Sequence, residues 1–209
     1  MIRAFLTAAT LAGLATSALA AGQPAIPTDL PPAPAGVYVT DPAHTSVTWS
    51  LDHSGLSQWT ARFVGTKATL RWDPENPALS TLRVEIDPRS VRTDFPRPEE
   101  TDMDAMIGTS EDFLADKPIV FVSTAIEVTG ADTGLVHGDL TFRGETHPVT
   151  LAVVFNGSMA EHPFSREAKV GFSATTSFSR SDWGLDMLVP FLGDTINLSI
   201  ETQMAAPTS

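Results

Sequence analysis

Hydrophobic and polar residues alternate along most of the chain between Val37 and Met204. In residues 47–52 (VTWSLD) each apolar residue is followed by a polar one, and the same period of two recurs in 82–87 and 196–201. Such alternation is typical of strands with one dry and one wet face, and it favours antiparallel pairing because parallel strands are buried on both faces. We predict about eight strands, at 37–40 leading into 45–53, then 59–72, 80–87, 118–129, 134–143, 147–156, 169–180 and 194–204.

Turn residues separate these strands. Asp-Pro and Gly-rich stretches lie at 73–77 and 129–132, and Arg143-Gly144-Glu145 is short enough for a hairpin. Many short, evenly spaced antiparallel strands predict a barrel or a sandwich. The chain shows no repeat of fixed period, which argues against a propeller or a solenoid.

Residues 92–112 interrupt the alternation. This stretch carries seven acidic and two basic side chains, and Met103, Met106 and Ile107 fall at helical spacing. Acidic residues before Met103 suit a helix N-terminus. We predict a short helix, or two, that crosses one end of the barrel.

The two ends of the chain differ from its body. Residues 1–20 have one basic residue, a short apolar run and a closing Ala18-Leu19-Ala20, which together predict a secretory signal peptide cleaved after Ala20. Residues 21–36 contain five prolines and are predicted to form a linker outside the core. Residues 205–209 are predicted to be a frayed tail. The body, 37–204, is then one domain without a transmembrane segment.

Composition excludes several classes of function. The 209 residues include 25 acidic and 13 basic side chains, a net charge of −12, so binding to nucleic acid is disfavoured by repulsion. The chain has no cysteine, which excludes disulfides, thiolate nucleophiles and a lipid-anchored mature form.

No catalytic constellation is visible in the sequence. The five histidines lack the spacing of a metal motif, and there is no Gly-x-Ser-x-Gly elbow or glycine-rich phosphate loop. We therefore expect no enzyme activity, no metal and no cofactor. The least favoured alternative is a hydrolase that uses His53 with a nearby serine.

The inward face of the predicted barrel is large and aromatic. A barrel of about eight strands either fills its lumen with side chains or holds one small ligand, and composition alone leaves both readings open. The residues assigned to this face are Trp49, Leu51, Phe63, Phe121, Phe142, Leu151, Phe155, Phe172 and Phe178.

Seven segments, in one order, resemble the YceI-like family of bacterial polyisoprenoid-binding proteins. They are 38–49 (YVTDPAHTSVTW), 53–57 (HSGLS), 87–93 (DPRSVRT), 112–124 (DFLADKPIVFVST), 138–144 (GDLTFRG), 179–185 (SRSDWGL) and 193–198 (GDTINL). The chain departs from the family at 107–110 (IGTS), where many members carry His-Leu-x-Ser. A histidine contact to a ligand headgroup is therefore not carried over.

The resemblance implies an all-β, lipocalin-like antiparallel barrel with an apolar lumen, exported to the periplasm. Its partner would be an isoprenoid or other long-chain amphiphilic lipid, such as a quinone or a polyprenyl chain, and a homodimer is left open. The candidate ligand-binding residues are the nine inward residues together with Trp183, Met187 and Phe191. These last three lie in an apolar segment that is interpreted either as a lid over the lumen or as a plug of the barrel end.

One rival hypothesis from another class is kept. The chain would be a non-catalytic, stress-related structural or interaction protein with a filled barrel, and its acidic crossing at 94–116 would be a docking surface. The volume of the lumen distinguishes the two.

Overall fold

The computed structural model describes residues 31–207, so the predicted signal peptide at 1–20 lies outside the described residues. Ten strands and one α-helix form in this range, with three single-turn 3₁₀ helices between them. The strands are β1 (Gly36–His53), β2 (Ser57–Phe63), β3 (Thr66–Trp72), β4 (Thr81–Ile86), β5 (Val91–Arg92), β6 (Ile119–Val128), β7 (Thr133–Phe142), β8 (Glu145–Met159), β9 (Lys169–Ser179) and β10 (Thr195–Ala205). The helix is α1 (Met103–Thr109).

Eight of these strands close into an antiparallel barrel in the order β1-β3-β4-β6-β7-β8-β9-β10. Closure comes from β1, which pairs with β3 on one side and with β10 on the other. All of these pairings are antiparallel, so the predicted all-β antiparallel barrel is confirmed. The hairpin predicted at Arg143-Gly144 joins β7 to β8, and both residues have positive φ (53° and 88°), as a two-residue turn of this kind requires.

The strand predicted at 59–72 is broken in two. β2 pairs with the second half of β1, where Phe63 faces Val47, whereas β3 pairs with its first half, where Val39 faces Thr69. Between them the chain bends at Val64 and Gly65, and β2 gains a short partner in β5. The break lets β2 and β3 lie beside different halves of β1 in the barrel wall.

The lack of a side chain at Gly138 makes room for Phe121 in the lumen. A Cβ atom at this position would lie 2.4 Å from Phe121 Cζ and 2.5 Å from the Val122 carbonyl oxygen. Such distances are well inside van der Waals contact, so a larger residue would displace the ring or the strand.

The two ends of the barrel are covered differently. At the helix end, α1 and segment 183–193 lie across the lumen, and Ile107 of α1 is buried in the main core. Asp102 caps α1 by accepting a hydrogen bond from the Ala105 N–H (2.9 Å). The predicted crossing helix is therefore confirmed. At the loop end, the connections 73–80, 129–132 and 160–168 surround the lumen.

The boundaries at the loop end differ from prediction. Ala33, expected in a linker outside the core, is 1 % exposed and packs with a second core cluster that includes Tyr38 and Met204. Its N–H donates to Ser158 Oγ (3.1 Å). The expected tail is ordered at its start, because Ala206 N donates to the Ala168 carbonyl (3.0 Å).

A buried ion pair fixes a bulge in β1. The register of β1 against β10 shifts between Thr40 and Thr45, which places Asp41 beside β9. Lys169 Nζ lies 2.6 Å from Asp41 Oδ2, and His44 Nδ1 lies 2.9 Å from the same oxygen. The hydrogen bond from Lys169 lowers the pKa of Asp41 to about 2, although burial acts to raise it.

The lowered pKa of Asp41 predicts an acid-dependent loss of stability. Because its pKa is lower in the folded state than the ordinary value near 4, the pair stabilises the fold above about pH 4 and ceases to do so as pH falls through about 2, a contribution of roughly 2 kcal/mol. We expect Asp41→Asn to lower the free energy of unfolding at pH 7 by at least this amount and to show little difference from the unmodified protein near pH 2. Urea unfolding across this range measures both, with the exposed Asp112→Asn as the control. A difference that persists unchanged at pH 2 would contradict the assignment.

Candidate functional site: an apolar cavity through the barrel

The lumen holds a cavity of about 1450 Å³ that runs the length of the barrel. This volume exceeds the roughly 300–1,000 Å³ of pockets for drug-sized ligands and suits a long chain. The cavity reaches exposed residues at both ends, His53 and Met106 at the helix end and Glu75 and Asp132 at the loop end. Side chains therefore do not fill this barrel, in contrast to the filled lumen of the rival hypothesis.

Strand register explains why the wall is apolar. Trp49 of β1 faces Leu198 of β10 on one side and Ala61 of β2 on the other, so apolar residues from neighbouring strands share the inner face. Near the loop end, Trp72, Phe155 and Phe172 form an aromatic cluster with ring centroids 5.4–5.7 Å apart.

Ten of the twelve candidate residues from the sequence line the cavity. They are Trp49, Leu51, Phe63, Phe121, Phe142, Leu151, Phe155, Phe172, Phe178 and Met187. Sequence reasoning did not name the lining residues supplied by the connections, among them Phe95, Met103, Met106 and Phe113. The helical spacing of the methionines was visible, but it carries no information about which face covers the lumen.

The other two candidates lie away from the cavity wall. Trp183 is 2 % exposed and sits behind the wall, where its ring packs against Phe178 (4.8 Å between centroids) and its Nε1 donates to the Leu140 carbonyl (3.3 Å). Phe191 is 71 % exposed on the outside of segment 183–193. Trp183 thus supports the wall, and Phe191 faces solvent.

Most hydroxyl groups of the lining already have partners. Thr45 Oγ1 lies 2.8 Å from Thr202 Oγ1, and Thr176 Oγ1 donates to the Thr150 carbonyl (2.8 Å). Ser80 Oγ accepts from the Asp73 N–H (3.0 Å). These contacts remove much of the polarity that the hydroxyls would otherwise present to the lumen.

Three lining residues carry buried polar atoms without a partner among residues 31–207. They are Trp49 Nε1, Thr66 Oγ1 and Trp72 Nε1. A buried donor without an acceptor costs about 1–3 kcal/mol, so these groups reduce the stability of the wall.

Arg180 organises the cover of the helix end. Its side chain is 3 % exposed and donates to four backbone carbonyls: Nε to Gly193 (3.0 Å), Nη1 to Leu185 (2.7 Å), and Nη2 to Met187 and Leu192 (2.9 Å each). Burial lowers the pKa of the guanidinium, while Asp194 and Asp186 act in the opposite direction.

This arrangement favours the plug interpretation of segment 183–193. Further hydrogen bonds join the segment to the end of β1, from Ser54 N to the Phe191 carbonyl (2.7 Å) and from Gly193 N to the Asp52 carbonyl (2.8 Å). In the sequence, Arg180 is a basic residue directly before an unusually apolar loop, a pattern that does not by itself specify this role.

The hydroxyl of Ser54, one of the serines near His53, donates to the Phe191 carbonyl (3.4 Å). Within residues 31–207 no group of three His, Asp or Glu side chains is placed to hold a metal ion. In the same range, no helix has the length and apolar character needed to cross a membrane.

Fold and cavity together define the class: a closed, eight-stranded antiparallel β-barrel with an apolar lumen open to exposed residues at both ends. The model of the YceI-like domain family matches residues 38–204, nearly the whole described range. The chain belongs to this family.

Relatives of known sequence and structure agree with this assignment. A UPF0312 protein from Pseudomonas putida (strain GB-1) is 35 % identical over 177 residues, which cover 82 % of this chain and 83 % of the relative. Among solved structures, Burkholderia cenocepacia BcnA matches with a TM-score of 0.66 at 20 % identity, over 78 % of this chain and 98 % of its own. A polyisoprenoid binding domain from Saccharophagus degradans, implicated in plant cell wall breakdown, matches with a TM-score of 0.58 at 12 % identity. The match covers 83 % of this chain and 99 % of the Saccharophagus domain. The structural matches establish the shared fold.

Proposed function

We propose that this protein is a periplasmic binding or carrier protein that holds a long-chain isoprenoid, or a similar amphiphilic lipid, in its barrel. The observation that carries the proposal is the 1450 Å³ cavity lined by aromatic and aliphatic side chains. The name of the Saccharophagus domain, which states that it binds polyisoprenoid, supports the same ligand class. Export to the periplasm rests on the signal-like sequence of residues 1–20.

The cavity supplies binding energy chiefly through apolar burial. Each methylene of a bound chain contributes about 0.8 kcal/mol, from which the cost of ordering the chain is subtracted. A long chain would therefore bind tightly with few polar contacts, and chains that differ by one unit would be poorly discriminated. The proposal contains no catalytic step.

Lipid binding is tested on the purified protein. We expect an organic extract to contain a co-purifying lipid by mass spectrometry, and added polyprenyl lipid to bind with one-to-one stoichiometry. Absence of binding in both experiments would overturn the proposal.

A matched pair of variants tests whether the lumen is the site. Ala68 lines the cavity, whereas Ala152 is exposed on the outside of β8. We expect Ala68→Phe to weaken lipid binding at least tenfold because the new ring occupies the lumen, and Ala152→Phe to leave it unchanged. Equal effects of the two changes, measured by titration on folded protein, would place the lipid elsewhere.

A further inference from the structure

The charged side chains that line the cavity are unevenly distributed. Four acidic residues, Asp73, Glu75, Glu127 and Asp132, lie at the loop end. The Asp73 carboxylate accepts hydrogen bonds from the N–H groups of Glu75 (3.1 Å) and Asn76 (2.9 Å), and the Glu127 carboxylate lies 3.8 Å from His137 Nε2. A ligand group at this end therefore meets a negative rim.

The described lining offers no available cation to offset that rim. Among the described residues, Arg180 is the one lysine or arginine that lines the cavity. Each of its three guanidinium nitrogens already donates to a backbone carbonyl. Beside it, the helix end presents Phe95, Met103 and Met187, which are not hydrogen-bond donors to an anion, whereas His53 can donate from its ring. A phosphate at the loop end would thus lose hydration without gaining an ion pair with a lysine or arginine.

We propose that the cavity selects amphiphiles whose polar end is uncharged, and that it discriminates against the same chain carrying a phosphate. The proposal rests on the proposed function, since it specifies the ligand of the same lumen. The acidic rim and the net charge of −12 repel a phosphorylated headgroup, whereas a quinone or an alcohol experiences neither this repulsion nor the loss of ionic hydration.

The test compares two ligands of equal chain length, geranylgeraniol and geranylgeranyl diphosphate, on the purified protein. We expect the diphosphate to bind at least tenfold more weakly at about 0.05 M salt. The difference should narrow at about 1 M salt, because the Debye length then falls to about 3 Å. Equal affinities at low salt would overturn this inference while leaving the proposed function intact. Failure of both ligands to bind, together with failure of a quinone, would overturn the proposed function and this inference with it.

Variants of the acidic rim distinguish the effect of the rim carboxylates from the effect of the protein's net charge. We expect Glu75→Gln combined with Asp132→Asn to reduce the preference for the alcohol at least threefold. Asp139→Asn combined with Glu145→Gln changes the net charge equally at exposed positions outside the lining and should leave the preference unchanged. A control pair as effective as the rim pair would refute the role of the rim.

Discussion

Replacing Phe121 with Asp is expected to destabilise the protein by more than about 4 kcal/mol. The ring is buried in the lumen above Gly138, and deletion of a buried phenylalanine alone costs about 3–5 kcal/mol. The new carboxylate would have to remain unpaired in an apolar wall or take up a proton, with its pKa raised. Because a domain is stable by only about 5–15 kcal/mol, this loss removes a large share of the stability, and the variant should unfold at a clearly lower urea concentration. Urea unfolding followed by circular dichroism measures the loss.

The next residue along β6 provides the matched control. Val122 is 39 % exposed and points to the opposite face, so Val122→Asp should change the free energy of unfolding by less than about 1 kcal/mol. If Phe121→Asp does not fold well enough to measure, Phe121→Leu gives a smaller loss and retains an apolar wall. Equal losses for Phe121→Asp and Val122→Asp would show that the assignment of inner and outer faces is wrong.

The alternation of residue types predicted the barrel because it reports directly on which face each residue shares. A period of two in β1 and β10 places Trp49 and Ile196 on the inner face, and the register between these strands is consistent with this. The break at Val64–Gly65 was not predictable in this way, since the alternation is compatible with one continuous strand. It depends on pairing with the distant β5.

The candidate site was predictable where strands form it and less so where loops do. The strand residues assigned to the lumen all line the cavity, whereas Trp183 and Phe191 come from a connection that has no period to orient them. The volume of the lumen could not be predicted from the sequence either, because alternation shows which way side chains face but not how far apart opposite walls lie. Composition was accordingly compatible with both a filled and a hollow barrel.

Arg180 shows that the hydrogen-bond partners of a polar side chain are also not predictable from the sequence pattern. A sequence identifies the residue but not the four carbonyls that accept from it, which belong to residues 5–13 positions further along a loop without regular structure. The protonation of Asp194 likewise depends on hydrogen-bond partners that the sequence does not identify. Its burial acts to raise its pKa, but hydrogen bonds from Ser181 N and Oγ outweigh burial and lower it. A polar network that surrounds an apolar segment thus holds the partial cover of the helix end in place.

Replacing Arg180 with Met should loosen segment 183–193, which covers this end of the barrel. The change keeps a long apolar side chain but leaves the carbonyls of Leu185, Met187, Leu192 and Gly193 without their donor. Unsatisfied buried carbonyls cost about 1–3 kcal/mol each, and relaxation of the segment recovers part of that, so we expect a loss of about 3–5 kcal/mol. Hydrogen exchange should show that amide protection in 184–193 falls before that of β7 and β8, because the damage is local.

Lysine and a surface arginine provide the comparisons for this prediction. Arg180→Lys keeps the charge but cannot reach carbonyls in several directions from one planar group, so it should be nearly as destabilising as methionine. Arg166 is exposed and pairs with Glu161, and Arg166→Met should cost less than about 1 kcal/mol. If Arg180→Met leaves both stability and exchange in 184–193 unchanged, the guanidinium does not hold the plug. Under the proposed lipid-binding function, Arg180→Met should also release added polyprenyl lipid faster than the unmodified protein does, because the helix end is then more loosely covered.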